Sequence, residues 1–117
     1  MSFAHDVPPP YYVVIFSSRR TEVEDGFSVL DAKLYEKAQT YPGFLGMNSL
    51  RMADGWGVAL VYWKMPEDIE AWRRDEEHRA AKEKGRSVWY SDFWVEICRV
   101  EQSYGKDPEN PGQIVVR

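Results

Sequence analysis

The pattern of apolar and polar positions predicts a strand and then a helix in the first part of the chain. Tyr11–Phe16 is continuously apolar and rich in β-branched and aromatic residues, which is typical of a strand covered on both faces. Apolar residues then recur at helical spacing with charges between them, which predicts an amphipathic helix over about 24–40. Thr21 or Asp25 is a candidate cap for its start, and Pro42-Gly43 is expected to end it. The apolar stripe consists of Phe27, Leu30, Leu34, Ala38 and Tyr41.

The middle of the chain predicts a β-hairpin followed by a helix. The segments Phe44–Met52 and Trp56–Lys64 have strand character, and Asp54-Gly55 between them favours a tight turn. Pro66 suits the first turn of the next helix, because its missing N–H would have no partner there. Ile69 supplies part of the apolar face of this helix.

The remaining segments predict a second short helix, a fourth strand and two tails. Asp75 is expected to cap a helix that runs to about Lys84 and is closed by Gly85. The alternating segment Asp92–Glu101 predicts the last strand. Residues 1–10 end in three prolines and are expected to form an extended tail. Residues 105–117 form a second tail with little periodicity, and its apolar end, Ile114–Val116, could dock.

The order strand, helix, strand, strand, helix, strand over residues 11–104 predicts one α+β domain with a ferredoxin-like split βαβ fold. Helices cover only one face of its four-stranded antiparallel sheet, so the other face of a monomer should be polar. The third strand contradicts this, because Val58, Leu60 and Tyr62 share one face while Ala59, Val61 and Trp63 share the other. We therefore expect a two-fold homodimer packed sheet to sheet.

Composition and charge exclude several classes of protein. The chain has 117 residues, of which 44% are hydrophobic and 29% charged, as in globular domains. Its net charge of −4 and its mixed-sign helices lack the basic stripe of a nucleic-acid-binding protein. No signal peptide and no membrane-spanning apolar run is visible, so the cytoplasm is the expected compartment. The single cysteine, Cys98, excludes an intrachain disulfide and is expected to be a small core residue.

Four motifs together resemble the antibiotic biosynthesis monooxygenase family over about residues 11–104. They are Pro42-Gly43-Phe44-Leu45-Gly46, Val61-Tyr62-Trp63, the series Trp72-Arg73-x-Asp75-x-x-His78-x-x-Ala81, and Gly85-Arg86 before Trp89-Tyr90. The resemblance implies a dimeric α/β barrel with a pocket between sheet and helices in each subunit. Some members of that family oxidise aromatic polyketides with molecular oxygen and need no metal or flavin, and others degrade haem.

The chain departs from both of these activities at particular positions. Ala59 stands where the polyketide oxygenases carry an asparagine, and Lys82 stands where the haem-degrading branch carries a haem-binding histidine. The expected function is cofactor-independent oxidation of an aromatic or polyketide-like small molecule. The alternative is a non-catalytic small-molecule-binding or stress-related dimer, with haem degradation as a third possibility.

His78, Trp63 and Tyr90 are the candidate catalytic residues. His78 is expected near the start of a helix, where the helix dipole favours the neutral ring, and could act as general base or substrate anchor. Its alternative role is a hydrogen bond to local backbone or to Asp75. Trp63 could line a flat pocket or be part of the core, and the hydroxyl of Tyr90 is a candidate donor. We expect His78 and Trp63 to face one cavity between the helices and the sheet.

Further polar and aromatic residues are candidate ligand-binding groups. Asn48 is disfavoured inside a strand, so it could mark a site or a bulge, and Arg51 lies on the same strand. Trp72 and Trp89 could contact an aromatic ligand, although core packing is the simpler role for Trp72. His5 and His78 lie far apart in the sequence, so we expect no dedicated metal site.

Overall fold

The computed structural model describes residues 7–117, so His5 and most of the predicted N-terminal tail lie outside the described residues. A sheet of four strands carries the helices, and a short hairpin follows at the C-terminus. In chain order the elements are β1 (Tyr11–Arg20), α1 (Phe27–Ala38), β2 (Phe44–Arg51), β3 (Trp56–Trp63), α2 (Pro66–Arg73), α3 (Glu76–Lys84), a π-helical turn (Gly85–Trp89), β4 (Tyr90–Val100), β5 (Tyr104–Lys106) and β6 (Ile114–Val116).

The four long strands pair antiparallel in the order β2-β3-β1-β4. This arrangement confirms the predicted α+β fold of the split βαβ kind. The predicted β2–β3 hairpin is present: Gly55 has a φ of 98°, and an Asp54 carboxylate oxygen accepts a hydrogen bond from the backbone N–H of Trp56 at 3.1 Å. The sheet therefore places β2 at one edge, beside α1 in sequence but two strands away from β1.

The core lies between the helices and one face of the sheet. The register sets Tyr12 opposite Trp63 and Val14 opposite Val61, so these four side chains share a face. Trp63 is completely buried and packs with Ala38 of α1 and Ile69 of α2. Apolar residues at helical spacing therefore meet apolar residues at strand spacing, which is what the two periodicities predict.

None of the described helices covers the opposite face of the sheet, which has an exposed apolar area although Tyr11 and Val13 on it are buried. Leu50, Val58, Ser17 and Trp94 stand in one row across the four strands. Leu50 and Trp94 are 59% and 71% exposed. Solvent-exposed apolar surface of this extent is unusual for a monomer.

The start of α1 corrects the sequence-based prediction. The helix begins at Phe27 rather than near residue 24, and neither Thr21 nor Asp25 caps it. Its N-cap is Gly26, whose φ of 80° suits glycine, and the Glu24 carboxylate accepts the N–H of Ser28 instead. Thr21 donates its hydroxyl to the Val88 carbonyl, and Asp25 forms an ion pair with Lys84. Both predicted caps are thus engaged with the region before β4.

Two further boundaries differ from the sequence pattern. The strand predicted to begin at residue 92 begins at Tyr90, directly after the π-helical turn. The predicted C-terminal tail contains the antiparallel hairpin β5–β6, in which Tyr104 pairs with Val116. Asp75 does cap α3 as predicted, accepting the backbone N–H groups of Glu77 and His78. Among the described residues, no helix is both long and apolar enough to cross a bilayer.

Candidate functional site

An open groove of about 380 Å³ lies between α1 and the edge strand β2. Its lining consists of Asp31, Ala32 and Tyr35 from α1 and Met47, Asn48 and Ser49 from β2. The volume falls within the range of sites that bind small molecules. Among residues 7–117, β2 pairs with β3 alone, so its outer edge borders this groove.

Asp31 reaches the groove because it lies on the apolar stripe of α1. Phe27, Asp31, Leu34 and Ala38 follow one another at intervals of four, three and four residues, which places them on one face of the helix. Asp31 itself remains exposed at the rim of the groove. This spacing is the signal by which the sequence could have revealed Asp31, which was missed there.

The carboxylate of Asp31 has no hydrogen bond or ion pair with any residue in 7–117. Burial raises its pKa above the ordinary value, while the positive charges of Arg51 and Arg20 lower it in part. Although Asp31 remains open to solvent at the rim of the groove, its neighbours remove enough water to make the proton bind more tightly. The result is a carboxylate with free acceptor capacity at the wall of the groove.

Arg51 is held at the end of β2 by three carbonyl or hydroxyl oxygens. Its Nη1 donates to the Ser18 carbonyl and hydroxyl, both at 3.0 Å, and to the Gly55 carbonyl at 2.9 Å. Ser18 is fully buried, so one end of this contact is fixed by the sheet. Within the described chain Nε and Nη2 of Arg51 make no hydrogen bond, so these donors are left for water or a ligand.

Tyr90 packs among aromatic rings close to Arg51. Its ring meets Phe16 edge to face at 5.2 Å and Phe27 at 5.9 Å, and the Arg51 guanidinium lies 6.0 Å from its centroid. Burial raises the pKa of Tyr90, and the negative charge of Asp31 raises it further. Its hydroxyl therefore stays protonated at neutral pH, and it donates to no atom of residues 7–117.

Trp89 lies behind this group, against the start of α1. Its ring meets Phe27 edge to face at 5.4 Å, and its carbonyl accepts hydrogen bonds from Arg20 Nε at 3.1 Å and from the Thr21 backbone N–H at 2.8 Å. The buried Nε1–H of Trp89 has no acceptor among the described residues. The π-helical turn that ends at Trp89 sets the positions of both Trp89 and Tyr90, and such turns are frequent at functional sites.

Trp63, Trp72 and His78 form a separate cluster, between the sheet and the junction of α2 with α3. The Trp72 ring lies 6.3 Å from that of Trp63 and is stacked on His78 at 4.5 Å, with an angle of 15° between the planes. His78 Nδ1 lies 3.0 Å from the Trp72 carbonyl, and since a carbonyl only accepts, Nδ1 carries the proton. Burial lowers the pKa of His78, so the ring is neutral at neutral pH.

Asp75 connects this cluster to α1. One of its carboxylate oxygens accepts the Tyr41 hydroxyl at 2.8 Å and pairs with Lys37 at 3.1 Å. Burial alone would raise the pKa of Asp75, but the hydrogen bonds from Tyr41, the His78 backbone and Lys37 outweigh it and hold the pKa below its usual value. These contacts give Asp75 a structural role at the helix junction.

Comparison with known proteins gives the family and the fold. No family model matches the chain. The uncharacterised protein YqjZ of Bacillus subtilis (strain 168) is 45% identical over 103 residues, covering 87% of this chain and 90% of YqjZ. This chain belongs to the YqjZ family.

Solved structures show that this chain has the fold of the antibiotic biosynthesis monooxygenases, as the sequence resemblance predicted. SnoaB, a cofactor-independent oxygenase from Streptomyces nogalater, matches with a TM-score of 0.68 over 81% of this chain and 97% of its own, at 13% identity. A Nitrosomonas europaea protein provisionally named an antibiotic biosynthesis monooxygenase matches with a TM-score of 0.66 over 86% of this chain and 96% of its own, at 15% identity.

In this YqjZ-family protein, the residues predicted as one site divide into two groups. Asn48 lines the α1–β2 groove, the charge of Arg51 lowers the pKa of Asp31, and the charge of Asp31 raises the pKa of Tyr90. His78 and Trp63 do not line that groove, and the Trp72 ring stands between them. A catalytic role for His78 and Trp63 stays a prediction, and their contacts favour the alternative of an aromatic core.

Proposed function

We propose that this protein binds a small aromatic molecule in the α1–β2 groove and oxidises it with molecular oxygen, without a metal or an organic cofactor. The observation that carries the proposal is the groove itself, with a carboxylate that has no partner among residues 7–117 on its wall. The fold, shared with a cofactor-independent oxygenase, supports the same reaction class. The substrate and the activity are proposals for this chain.

The chemistry requires little of the protein beyond positioning and charge. An electron-rich anion formed from a phenol or an anthrone transfers one electron to oxygen, giving a carbon radical and superoxide. Their combination forms a C–O bond, protonation gives a hydroperoxide, and loss of water leaves a carbonyl. One oxygen atom thus enters the product and the other leaves as water. Polar groups fixed before the reaction, as Arg51 is by Ser18, stabilise such anions without reorganising.

A homodimer is part of this proposal. The row from Leu50 through Val58 to Trp94 leaves the uncovered face of the sheet apolar, and a second copy packed on that face would remove it from water. The antibiotic biosynthesis monooxygenase resemblance implies the same arrangement. In that arrangement the α1 wall of each groove stays outside the interface, because α1 packs on the other face of the sheet, against Trp63.

The test is oxygen uptake by the purified protein with a reduced anthrone or a hydroquinone. A variant that fills the groove, Ala32→Trp, should abolish uptake, because Ala32 lines it. Ala71→Trp is the matched control, since Ala71 is an exposed alanine on α2 outside the groove. If Ala32→Trp still takes up oxygen as the wild type does, the reaction takes place outside the α1–β2 groove.

A non-catalytic binding protein is the second candidate function. It is favoured by Ala59, which stands where the polyketide oxygenases carry an asparagine. Under this alternative, aromatic ligands bind in the groove and Ala32→Trp prevents binding, but no substrate supports oxygen uptake above the uncatalysed rate. Calorimetric titration alongside the oxygen electrode separates the two functions.

A further inference from the structure

The C-terminal hairpin β5–β6 carries an apolar face that the described part of the chain leaves exposed. The register sets Tyr104 opposite Val116, and the next pair on the same face is Lys106 with Ile114. Tyr104, Ile114 and Val116 are 74%, 65% and 60% exposed. Among the described residues, the hydrogen bonds of the hairpin all lie within 103–117. A hairpin of two strands is only marginally stable in water, so this face is expected to pack on another surface.

A second exposed apolar surface lies on β4, on the face of the sheet that carries the helices. Phe93, Val95 and Ile97 point to the same side as Val14, which packs against the core. They are 38%, 49% and 51% exposed although the helices lie on this side, and together they form the β4 strip. The sheet-to-sheet dimer does not cover the β4 strip, because that contact uses the opposite face of the sheet.

We propose that the hairpin of each copy packs its apolar face on the β4 strip of the other copy, as an arm exchanged within the homodimer. Within one copy both surfaces are exposed, so they are not packed on each other. Exchange between two identical copies covers both surfaces twice and closes the assembly, because a two-fold axis repeats each contact. This inference rests on the homodimer of the proposed function, and it identifies a second contact between the copies.

The position of the hairpin in the chain suits such an exchange. Only Glu101–Ser103 separate β4 from β5, so the hairpin begins at the end of an edge strand. Among the described strands, β4 pairs with β1 alone, so its outer edge leaves a path for an arm that comes from the partner's side of the sheet. An exposed apolar edge strand is prone to unwanted pairing with other chains, and an arm lying along it would prevent that.

The stability of the dimer measures the contribution of each surface. Val116→Ser on the hairpin and Val95→Ser on the β4 strip should each raise the dimer Kd by about 10- to 100-fold, because each removes a buried apolar contact in both copies. Val29→Ser is the matched control, since Val29 is 62% exposed and lies on α1, and it should dimerise as the wild type does. Sedimentation velocity over a dilution series gives the constants.

Cross-linking tests whether the contact joins two different copies. Val116→Cys and Val95→Cys are prepared as separate proteins, each with the natural cysteine removed by Cys98→Ser, and are mixed with a short bismaleimide. Since neither chain contains both new cysteines, a link between the β4 peptide and the C-terminal peptide in a tryptic digest joins two copies. Val29→Cys in place of Val116→Cys should give no such link.

The outcomes separate this inference from the proposed function. Weaker dimers together with a link between copies support the exchange. A dimer whose Kd is unchanged by both serine variants overturns it and leaves the sheet-to-sheet contact standing, as does a link that forms only when both cysteines lie in one chain. A monomeric wild type refutes the dimer and the inference with it. The groove is tested independently by Ala32→Trp, because Ala32 lies on neither surface.

Discussion

Replacement of Trp63 by alanine should destabilise the protein far more than the same change at another tryptophan. The Trp63 ring is completely buried and meets Tyr41 and Phe44 nearly at right angles, at 6.3 and 5.6 Å between ring centroids, with Trp72 on a third side. Removing a buried tryptophan side chain typically costs about 3–5 kcal/mol, because apolar contacts are lost and a cavity remains.

This loss is large relative to the whole stability of the domain. A chain of 117 residues is expected to have a free energy of unfolding of about 6–18 kcal/mol. With a urea dependence of about 2 kcal/mol per molar, the midpoint of Trp63→Ala should fall by roughly 1.5–2.5 M. Trp63→Phe, which keeps a ring in the same space, should recover most of that loss.

Urea unfolding followed by circular dichroism and by the fluorescence of the four remaining tryptophans provides the measurement. Trp56→Ala is the control, because Trp56 is 41% exposed and the Arg19 guanidinium lies 5.8 Å from its ring centroid. That contact is expected to contribute about 0.5–1 kcal/mol. Equal losses for the two variants, or a Trp63→Ala protein as stable as wild type, would show that Trp63 is not the centre of the core.

Three further predictions concern charge, assembly and haem. Burial raises the pKa of Asp31 in the folded state, so the folded protein holds this proton more tightly, and stability is lost as pH rises from the unfolded value through the raised one. Asp31→Asn should therefore have a higher Tm than wild type at pH 7, with the difference vanishing below pH 4 by differential scanning calorimetry; an unchanged Tm at pH 7 contradicts this. Light scattering at micromolar concentration should give a molecular mass of about twice 13.7 kDa. Leu60→Asp, on the uncovered face of the sheet, should give a monomer. A monomeric wild type would refute the sheet-to-sheet dimer. Titration with haem should give no sharp Soret band, because Lys82 stands where the haem-degrading relatives carry a histidine; a stoichiometric complex lost in His78→Ala would show instead that His78 is a ligand.

The Asp31 prediction also connects stability with function. A residue that lowers stability where it stands is expected at a binding site, because its polar atoms await a ligand rather than a partner in the protein. Asp75 offers the contrast, since its carboxylate has partners on every side and its pKa is lowered.

Local signals in the sequence were sufficient for the order of the elements. Asp54-Gly55 predicted the hairpin because Gly55 needs a positive φ, and Asp75 predicted a cap because its side chain competes for nearby backbone N–H groups. The hairpin signal and the capping signal each involve residues that lie within four positions of each other in the chain. The start of α1 was misplaced because Thr21 and Asp25 are held by Val88 and Lys84, more than fifty residues away.

The sequence by itself determined the split βαβ fold and the apolar character of both sheet faces, because apolar periodicity of two or of 3.6 residues fixes which side chains can be buried together. Only the tertiary structure decided which polar residues meet. His78 and Trp63 are kept apart by Trp72, whereas Asp31, Arg51 and Tyr90 converge from α1, β2 and β4. The reason is that these three residues come from three different elements, and packing across the whole core, rather than any local sequence, sets how those elements lie relative to one another.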